Sequence, residues 1–157
     1  NALLKARAAA QGSGIVSLAD DSGLSVAALD GRPGVYTADW AERQWFEGDP
    51  GRDWYMAMGK VEGLLAQQGP DVDRSAAFHC TLALAWPDGE YAVYEGIAPG
   101  SLTWPPRGQL GFGYDPVFVP QGRERTFAEI EPAEKHTISH RADAFAKLVA
   151  EQFGQQG

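Results

Sequence analysis

The stretch AAFHCTLALAWPDGEYAVYEGI, residues 76–97, decides the fold of this chain. Over residues 76–86 the larger apolar side chains recur at every second position, which is the period of a β-strand. Pro87-Asp88-Gly89 is a strong turn signal, and a second extended run follows it at residues 90–97. The sequence therefore predicts a long β-hairpin.

The two faces of the first predicted strand carry side chains of different size. One face is mostly large and apolar, with Phe78, Cys80, Leu82, Leu84 and Trp86. The opposite face is mostly small, with His79, Thr81, Ala83 and Ala85. Small side chains let another layer of structure approach a sheet closely, so we expect a layer to pack tightly on this second face.

Helical periodicity occurs on both sides of the hairpin in the chain. Residues 1–10, NALLKARAAA, are typical of an alanine-rich amphipathic helix that stops at Gly12-Ser13-Gly14. A second helix is predicted within residues 51–68, with its apolar stripe on Trp54, Met58, Val61 and Leu65. A final helix is predicted with its apolar side on Ile138, Ala142, Phe145, Leu148 and Val149.

Short extended runs complete the predicted sheet. We expect a short buried strand at residues 15–19, a second extended run at residues 24–29 and a further strand at residues 117–119. Helices and strands mix without strict βαβ alternation, so we predict an α/β (mixed α+β) fold with a long-stranded mixed sheet flanked by helices. The length suits a single domain over residues 1–157.

The charge balance argues against a polyanionic partner. Lys and Arg number 13 against 21 Asp and Glu, for a formal charge of -8, so the average surface repels DNA and RNA. A small phosphorylated ligand stays compatible, because a metal ion and a few focused cations overrule the mean charge locally. No apolar run approaches a membrane span, and the single cysteine, Cys80, suits a reducing compartment. We therefore expect a cytoplasmic protein without a membrane or nucleic-acid partner.

Asp20 and Asp21 stand side by side directly after the apolar run of residues 15–19. Adjacent carboxylates at the end of a buried strand repel one another and lose hydration, so a cation or hydrogen-bond donors must compensate. With Ser22 and Gly23 behind them, they suit a hydrated Mg²⁺, which prefers one or two carboxylates plus phosphate oxygens and water. An ordinary polar turn is the competing interpretation of these residues.

Two further segments carry chemistry-bearing side chains. In GQLGFGYDP, residues 108–116, glycines let the backbone approach a flat ligand, an aromatic ring can stack on a base and Asp115 can accept hydrogen bonds. The alternative is a turn whose aromatic rings fill the core. In PAEKHTISHR, residues 132–141, a continuous helix would bring Lys135 and Ser139 within one turn, next to His140-Arg141. The alternative there is a solvated helix surface.

Together and in this order, these motifs resemble the inosine triphosphate pyrophosphatase family, which acts on non-standard purine nucleoside triphosphates. The matching segments are NALLKARAAA, LADDSGLSVAALDGRPGVYTADWA, FHCTLALAWPDG, PPRGQLGFGYDPVFVP and TFAEIEPAEKHTISHRADAF. They span most of residues 1–148, and residues 42–53 depart most from the family pattern. The resemblance implies an ITPase-like fold and Mg²⁺-dependent hydrolysis of ITP, dITP or XTP to the monophosphate and pyrophosphate.

The resemblance also implies roles for individual residues. Asp21 matches the metal-binding and proton-accepting acid, Asp20 supports it, and the residues that match substrate and phosphate contacts are Ser22 and Lys5. The turn that matches the base-binding segment contains Phe112, Gly113, Tyr114 and Asp115. The segment that matches the base- and phosphate-contacting helix contains Lys135, His140 and Arg141.

Further expectations follow from the family pattern. It implies a homodimer, which Trp40, Trp45 and Trp54 would support. It also implies a strand, a phosphate-gripping loop and an acidic metal ligand before Asn1, so we expect the parent protein to be active and the 157-residue chain to be weak or inactive. Two alternatives stay open: a Maf-like pyrophosphatase with another base preference, and a nucleotide-binding or structural protein without turnover. The GFGYD and SHR segments argue against the Maf-like alternative.

Overall fold

The computed structural model describes residues 1–43, 46–47 and 51–154, and these contain four α-helices and five β-strands. The helices are α1 (Ala2–Ser13), α2 (Trp54–Ala66), α3 (Pro132–Ile138) and α4 (His140–Phe153). The strands are β1 (Ser17–Val26), β2 (Pro33–Gly34), β3 (Ser75–Ala85), β4 (Tyr91–Leu102) and β5 (Phe118–Pro120). None of the helices in this part of the chain is long and apolar enough to cross a membrane.

One five-stranded sheet has the order β2-β1-β3-β4-β5. Its three central strands contain 10, 11 and 12 residues, which confirms the predicted long-stranded α/β fold and the hairpin at its centre. Both outer strands pair antiparallel with their neighbours, with Leu24 opposite Gly34 at one edge and Leu102 opposite Phe118 at the other.

Contacts within the chain group the residues into two compact units. The first unit comprises Asn1–Ser22, His79–Ala98 and His136–Gly157. The second unit comprises Gly23–Phe78 and Pro99–Lys135. That residues 1–157 act as a single domain stays a prediction.

In the first unit, helices α1 and α4 cover opposite faces of β3. One cluster joins the alanines of α1 to the small face of the strand, and its buried members are Ala2, Ala6, Ala10, Ala83 and Ala85. The other joins α4 to the large face, and its buried members are Cys80, Leu82, Tyr94, Ala144 and Leu148. Alanine side chains bring helix and sheet backbones close together, so the layer expected on the small face is confirmed.

In the second unit, an aromatic cluster forms the core. The ring centroid of Phe78 lies 4.5 Å from that of Phe118 and 5.8 Å from that of Phe127, and all three rings are buried. Helix α2 contributes its apolar stripe, of which Met58, Val61 and Leu65 are buried. Asp53 begins this helix, because its carboxylate accepts a hydrogen bond from the Met56 N–H at 2.9 Å.

The first predicted strand is wrong in extent and in burial. Strand β1 does not end at the aspartates but continues from Ser17 to Val26, and full burial begins only at Leu24. The predicted run at residues 24–29 is therefore the end of the same strand, followed by a 3-10 turn at Ala27–Leu29. Because side chains alternate along a strand, Asp20 and Asp21 lie on opposite faces and do not form a pair at its end.

The continuous helix considered for residues 132–141 does not form. Ser139 separates α3 from α4: its hydroxyl oxygen accepts from the Ala142 N–H at 3.1 Å, which makes it the N-cap of α4. Lys135 and Arg141 therefore lie in different helices. The buried side of α4 carries Ala144 and Leu148, whereas the side chains of Phe145 and Val149, expected on the apolar side, are exposed.

The aromatic cluster generates a stability prediction. Phe127→Ala should lower the free energy of unfolding by about 3–5 kcal/mol, because it removes a fully buried ring and leaves a cavity against Phe78 and Phe118. Phe153→Ala is the control, since that ring is exposed. Urea unfolding followed by circular dichroism measures both, and equal losses for the two variants would contradict the assignment of the core.

Candidate active site

In the first unit, Arg141 contacts Asp20. The Arg141 Nη2 atom donates to Asp20 Oδ2 at 2.8 Å, and both side chains are about half exposed. An exposed ion pair contributes only about 0–1 kcal/mol to stability. The pair therefore compensates the charge of Asp20 while leaving the guanidinium accessible to a ligand.

The neighbouring aspartate faces α1. Ala19 packs against the alanine cluster of α1, and Asp21 lies two residues further along β1 on the same face. Lys5 extends from α1 to the same segment, where its Nζ lies 3.5 Å from the main-chain oxygen of Asp20. The Asp20 side chain thus has Arg141 as its neighbouring cation, while Lys5 contacts the main chain of the same segment.

Cys80 lies beside the Asp20–Arg141 pair and is a site neighbour that the sequence did not indicate. The residue is only 1% exposed. Burial raises the pKa of its thiol, while a hydrogen bond with Ser22 and the charge of Arg141 oppose that rise. Strand alternation alone does not predict this proximity, because it also depends on the register between β1 and β3. His140, in the first turn of α4, is also buried.

A cavity of about 590 Å³ opens beside the same pair. Its polar lining includes Asp20 and Arg141, and its apolar lining includes Leu18, Leu82 and Phe145. A concave surface with an apolar floor and a few convergent charges is typical of a small-molecule site. The first unit therefore joins a cation, a carboxylate and a cavity at one place.

In the second unit, Asp115 organises the predicted base-binding turn. Its Oδ2 atom accepts from Lys135 Nζ at 2.6 Å and from the Phe112 N–H at 3.0 Å. Asp115 is 3% exposed, so the ion pair with Lys135 is largely shielded from water. The pair thus holds α3 against the turn.

The glycines of this turn permit its tight conformation. Gly111 and Gly113 have φ values of +72° and +64°, in the region that favours glycine. A Cβ on Gly111 would lie 2.1 Å from the Asp115 Oδ2 atom. Phe112, between the two glycines, is 63% exposed, and Lys135 Nζ lies 5.0 Å from its ring centroid. The ring is therefore available to a flat ligand.

Tyr114 is directed into the core instead. Its ring makes an edge contact with Trp54 at 5.6 Å between centroids, and its hydroxyl donates to the Thr37 main-chain oxygen at 3.0 Å. Burial raises its pKa well above the ordinary value. For this residue the structure agrees with the alternative in which an aromatic ring fills the core, and a substrate contact by Tyr114 stays a prediction.

Of the two aspartates in β1, one is suited to hold a metal ion. The described residues contain no group of three or more His, Cys, Asp or Glu side chains able to hold one. Asp20 and Asp21 lie on opposite faces of β1, so they cannot close on one ion from the same side. A single carboxylate still fits Mg²⁺, because this ion completes its shell with phosphate oxygens and water. Asp21 is the residue that fits, since Asp20 is already paired with Arg141.

The shielded ion pair generates a second stability prediction. Lys135→Met should lower the free energy of unfolding by about 3 kcal/mol, because it leaves the Asp115 carboxylate buried without its cation. Lys60→Met, at an exposed lysine of α2, is the matched control. The double variant D115N/K135M should regain part of the loss. Urea unfolding measures all three, and a loss in K135M no larger than that in K60M would refute the pair's contribution.

Comparison with known proteins places this geometry in a family. The family model described as the Ham1 family matches residues 1–151. A dITP/XTP pyrophosphatase of Ruegeria pomeroyi is 54% identical over 154 residues, which cover 98% of this chain and 73% of the relative. A dITP/XTP pyrophosphatase of Caulobacter vibrioides is 56% identical over 153 residues, which cover 98% of this chain and 75% of the relative.

Solved structures show the same relationship. A HAM1 protein from Coxiella burnetii superposes with a TM-score of 0.83 at 39% identity and covers 96% of this chain and 73% of its own. The Ham1 protein of Staphylococcus aureus gives a TM-score of 0.83 at 35% identity and covers 99% of this chain and 76% of its own. The resemblance seen in the sequence motifs is confirmed. This chain belongs to the Ham1 family, whose model matches residues 1–151 and so includes all the candidate site residues.

Proposed function

We propose that this chain hydrolyses non-standard purine nucleoside triphosphates, namely ITP, dITP and XTP, to the monophosphate and pyrophosphate. The observation that carries the proposal is the run of relatives named dITP/XTP pyrophosphatase at 50–56% identity over 94–98% of the chain. The match to the family model spans residues 1–151, a range that includes every motif that the sequence singled out. The reaction would remove abnormal purines from the nucleotide pool.

The proton-accepting role is proposed for Asp21. Water that attacks the α-phosphorus must lose a proton, and a nearby carboxylate is a suitable acceptor. Asp21 is the aspartate of β1 on the α1 face, whereas Asp20 is paired with Arg141. Asp21 is also the residue that would hold Mg²⁺, whose chemistry there is to neutralise charge on the phosphate oxygens.

Negative charge accumulates on the leaving pyrophosphate, so nearby cations lower the barrier. Lys5 is the cation proposed for this role in the first unit, because its Nζ already lies against the aspartate segment of β1. Its present partner is a main-chain oxygen at 3.5 Å, which is a weak contact that a phosphate can replace. No covalent nucleophile is required for this chemistry.

Selection of the base is proposed to use hydrogen bonding. Donors on Arg141 would satisfy a 6-oxo group, whereas a 6-amino group would place donor against donor, and an unpaired buried polar group is costly. Asp20 holds one edge of the guanidinium and so fixes its orientation. Separately, the exposed ring of Phe112 in the second unit is proposed as a stacking surface for a flat ligand, with Gly113 giving room for its approach. His140 and Ser22 are proposed as further contacts.

Assembly and compartment are proposed on the family resemblance. We propose a homodimer, to which half-buried Trp40 and Trp54 would contribute, while Trp45 lies outside the described residues. We propose a cytoplasmic location, because the single cysteine is a buried free thiol.

The reaction is tested by its products. The chain, incubated with Mg²⁺ and dITP, should release pyrophosphate and dIMP in equal amounts and at a low rate, and chelation of the metal should abolish release. The Ruegeria pomeroyi relative serves as the positive control. Preference for dUTP or dATP over dITP would favour a pyrophosphatase of the Maf-like class, and binding of dITP without any pyrophosphate release would favour a nucleotide-binding protein. Either result would refute the proposal.

The role of Asp21 is tested by Asp21→Asn. This variant should lower kcat by about 10²–10⁴-fold, because the amide cannot accept the proton from water. Asp71→Asn, at an exposed acid of the second unit, is the control and should keep wild-type rates. Steady-state pyrophosphate release measures both variants, and circular dichroism verifies their folding. A D21N enzyme with at least half of the wild-type kcat would exclude this assignment.

A further inference from the structure

Two charged side chains of α4 bind the backbone of β4. Asp143 Oδ2 accepts from the Ile97 N–H at 3.0 Å, and Lys147 Nζ donates to the Glu95 main-chain oxygen at 2.7 Å. Residues 95 and 97 of a strand direct their backbone groups to the same side, so both bonds occupy one stretch of strand edge. Lys147 Nζ also lies 3.5 Å from Asp143 Oδ2, and the two residues are one helical turn apart in α4. Each charge therefore has a backbone partner and a side-chain partner.

Gly96 lies between these two bonds and allows the helix to approach. A Cβ built on Gly96 would lie 2.1 Å from the His140 main-chain oxygen and 2.4 Å from the Ala144 main-chain nitrogen. Both atoms belong to backbone, so they cannot give way as a flexible side chain would. Any larger residue at this position would force the first turns of α4 away from β4.

These contacts fix the segment that carries Arg141. The residue follows His140 directly and lies two residues before Asp143, within the first turn of α4. Its own pair with Asp20 is half exposed, and such a pair holds two long side chains only weakly. The location of the guanidinium therefore depends on the backbone of α4, which is hydrogen-bonded to β4 through Asp143 and Lys147.

We propose that Asp143 and Gly96 are positioning residues for Arg141 in nucleotide recognition. The proposal rests on the function proposed above for Arg141, and it adds two residues that act through the helix rather than on the substrate. An ordinary i,i+4 surface pair would stabilise the helix itself only slightly. The hydrogen bonds to Glu95 and Ile97 distinguish this pair from that case, because they tie the helix to another element.

Three substitutions test the proposal. Asp143→Ala should raise KM for dITP about ten-fold with kcat within two-fold of wild type, because loss of one charged hydrogen bond loosens Arg141 without touching the reacting atoms. Asp143→Asn should restore most of the affinity, since its amide oxygen can accept from the Ile97 N–H. Gly96→Ala should lower kcat/KM about 10²-fold by displacing the helix. Alanine is the best helix former, so the D143A variant should keep the helix itself.

Matched controls separate positioning from general destabilisation. Glu151→Ala removes another exposed acid from the same helix, and Gly63→Ala adds a Cβ in α2 where no atom lies within 4 Å. Both should keep the wild-type KM. Urea unfolding of every variant shows whether a change in KM follows a loss of stability.

A second readout does not depend on turnover. The guanidinium NMR signals of ¹⁵N-labelled arginine should show the Arg141 N–H protons protected by Asp20 in the wild type and in D143N, but exchanging faster in D143A. Unchanged protection and unchanged KM in D143A would overturn the proposal, and so would an equal rise of KM in D143N and D143A. If the wild type fails to hydrolyse dITP, the proposed function fails, and the arginine signals alone then decide the positioning role.

Discussion

The two-residue period of an extended chain is the constraint on which the candidate site depends. In β3 it places alanines against α1 and large side chains against α4, so the helices cover opposite faces of the same strand. In β1 the same period sends Asp20 to the face of Arg141 and Asp21 to the face of α1. A shift of register by one residue would exchange the faces on which the two aspartates lie.

The positive charges of this acidic chain differ in what they can do. Lys135 is held against the buried carboxylate of Asp115, where water is largely excluded and breaking the pair is costly. Arg141 is held against Asp20 in a half-exposed pair, where solvent weakens the attraction. A phosphorylated or oxo-bearing ligand can therefore compete for Arg141, whereas Lys135 mainly maintains the turn that displays Phe112.

Local patterns predicted some parts of this molecule well and others poorly. The hairpin and its small face were predictable, because alternation over eleven residues in β3 leaves few other solutions. The extent of β1 was not, since Asp20-Asp21-Ser22-Gly23 is a good turn sequence and only pairing with neighbouring strands keeps it extended. The spacing over residues 132–141 is compatible with one helix, but Ser139 caps a new helix, a position that serine favours. The order of the motifs indicated the family. The sequence did not show that the Phe112 ring is exposed and the Tyr114 ring buried.

The burial of Cys80 has a consequence for the chemistry of the whole molecule. The residue is almost fully buried, and the raised pKa of its thiol keeps it protonated at neutral pH. Thiol exchange requires both access and a thiolate, and this site withholds both. Since the sequence has no other cysteine, copies of the folded chain have no means of becoming covalently linked through sulfur when their surroundings turn oxidising.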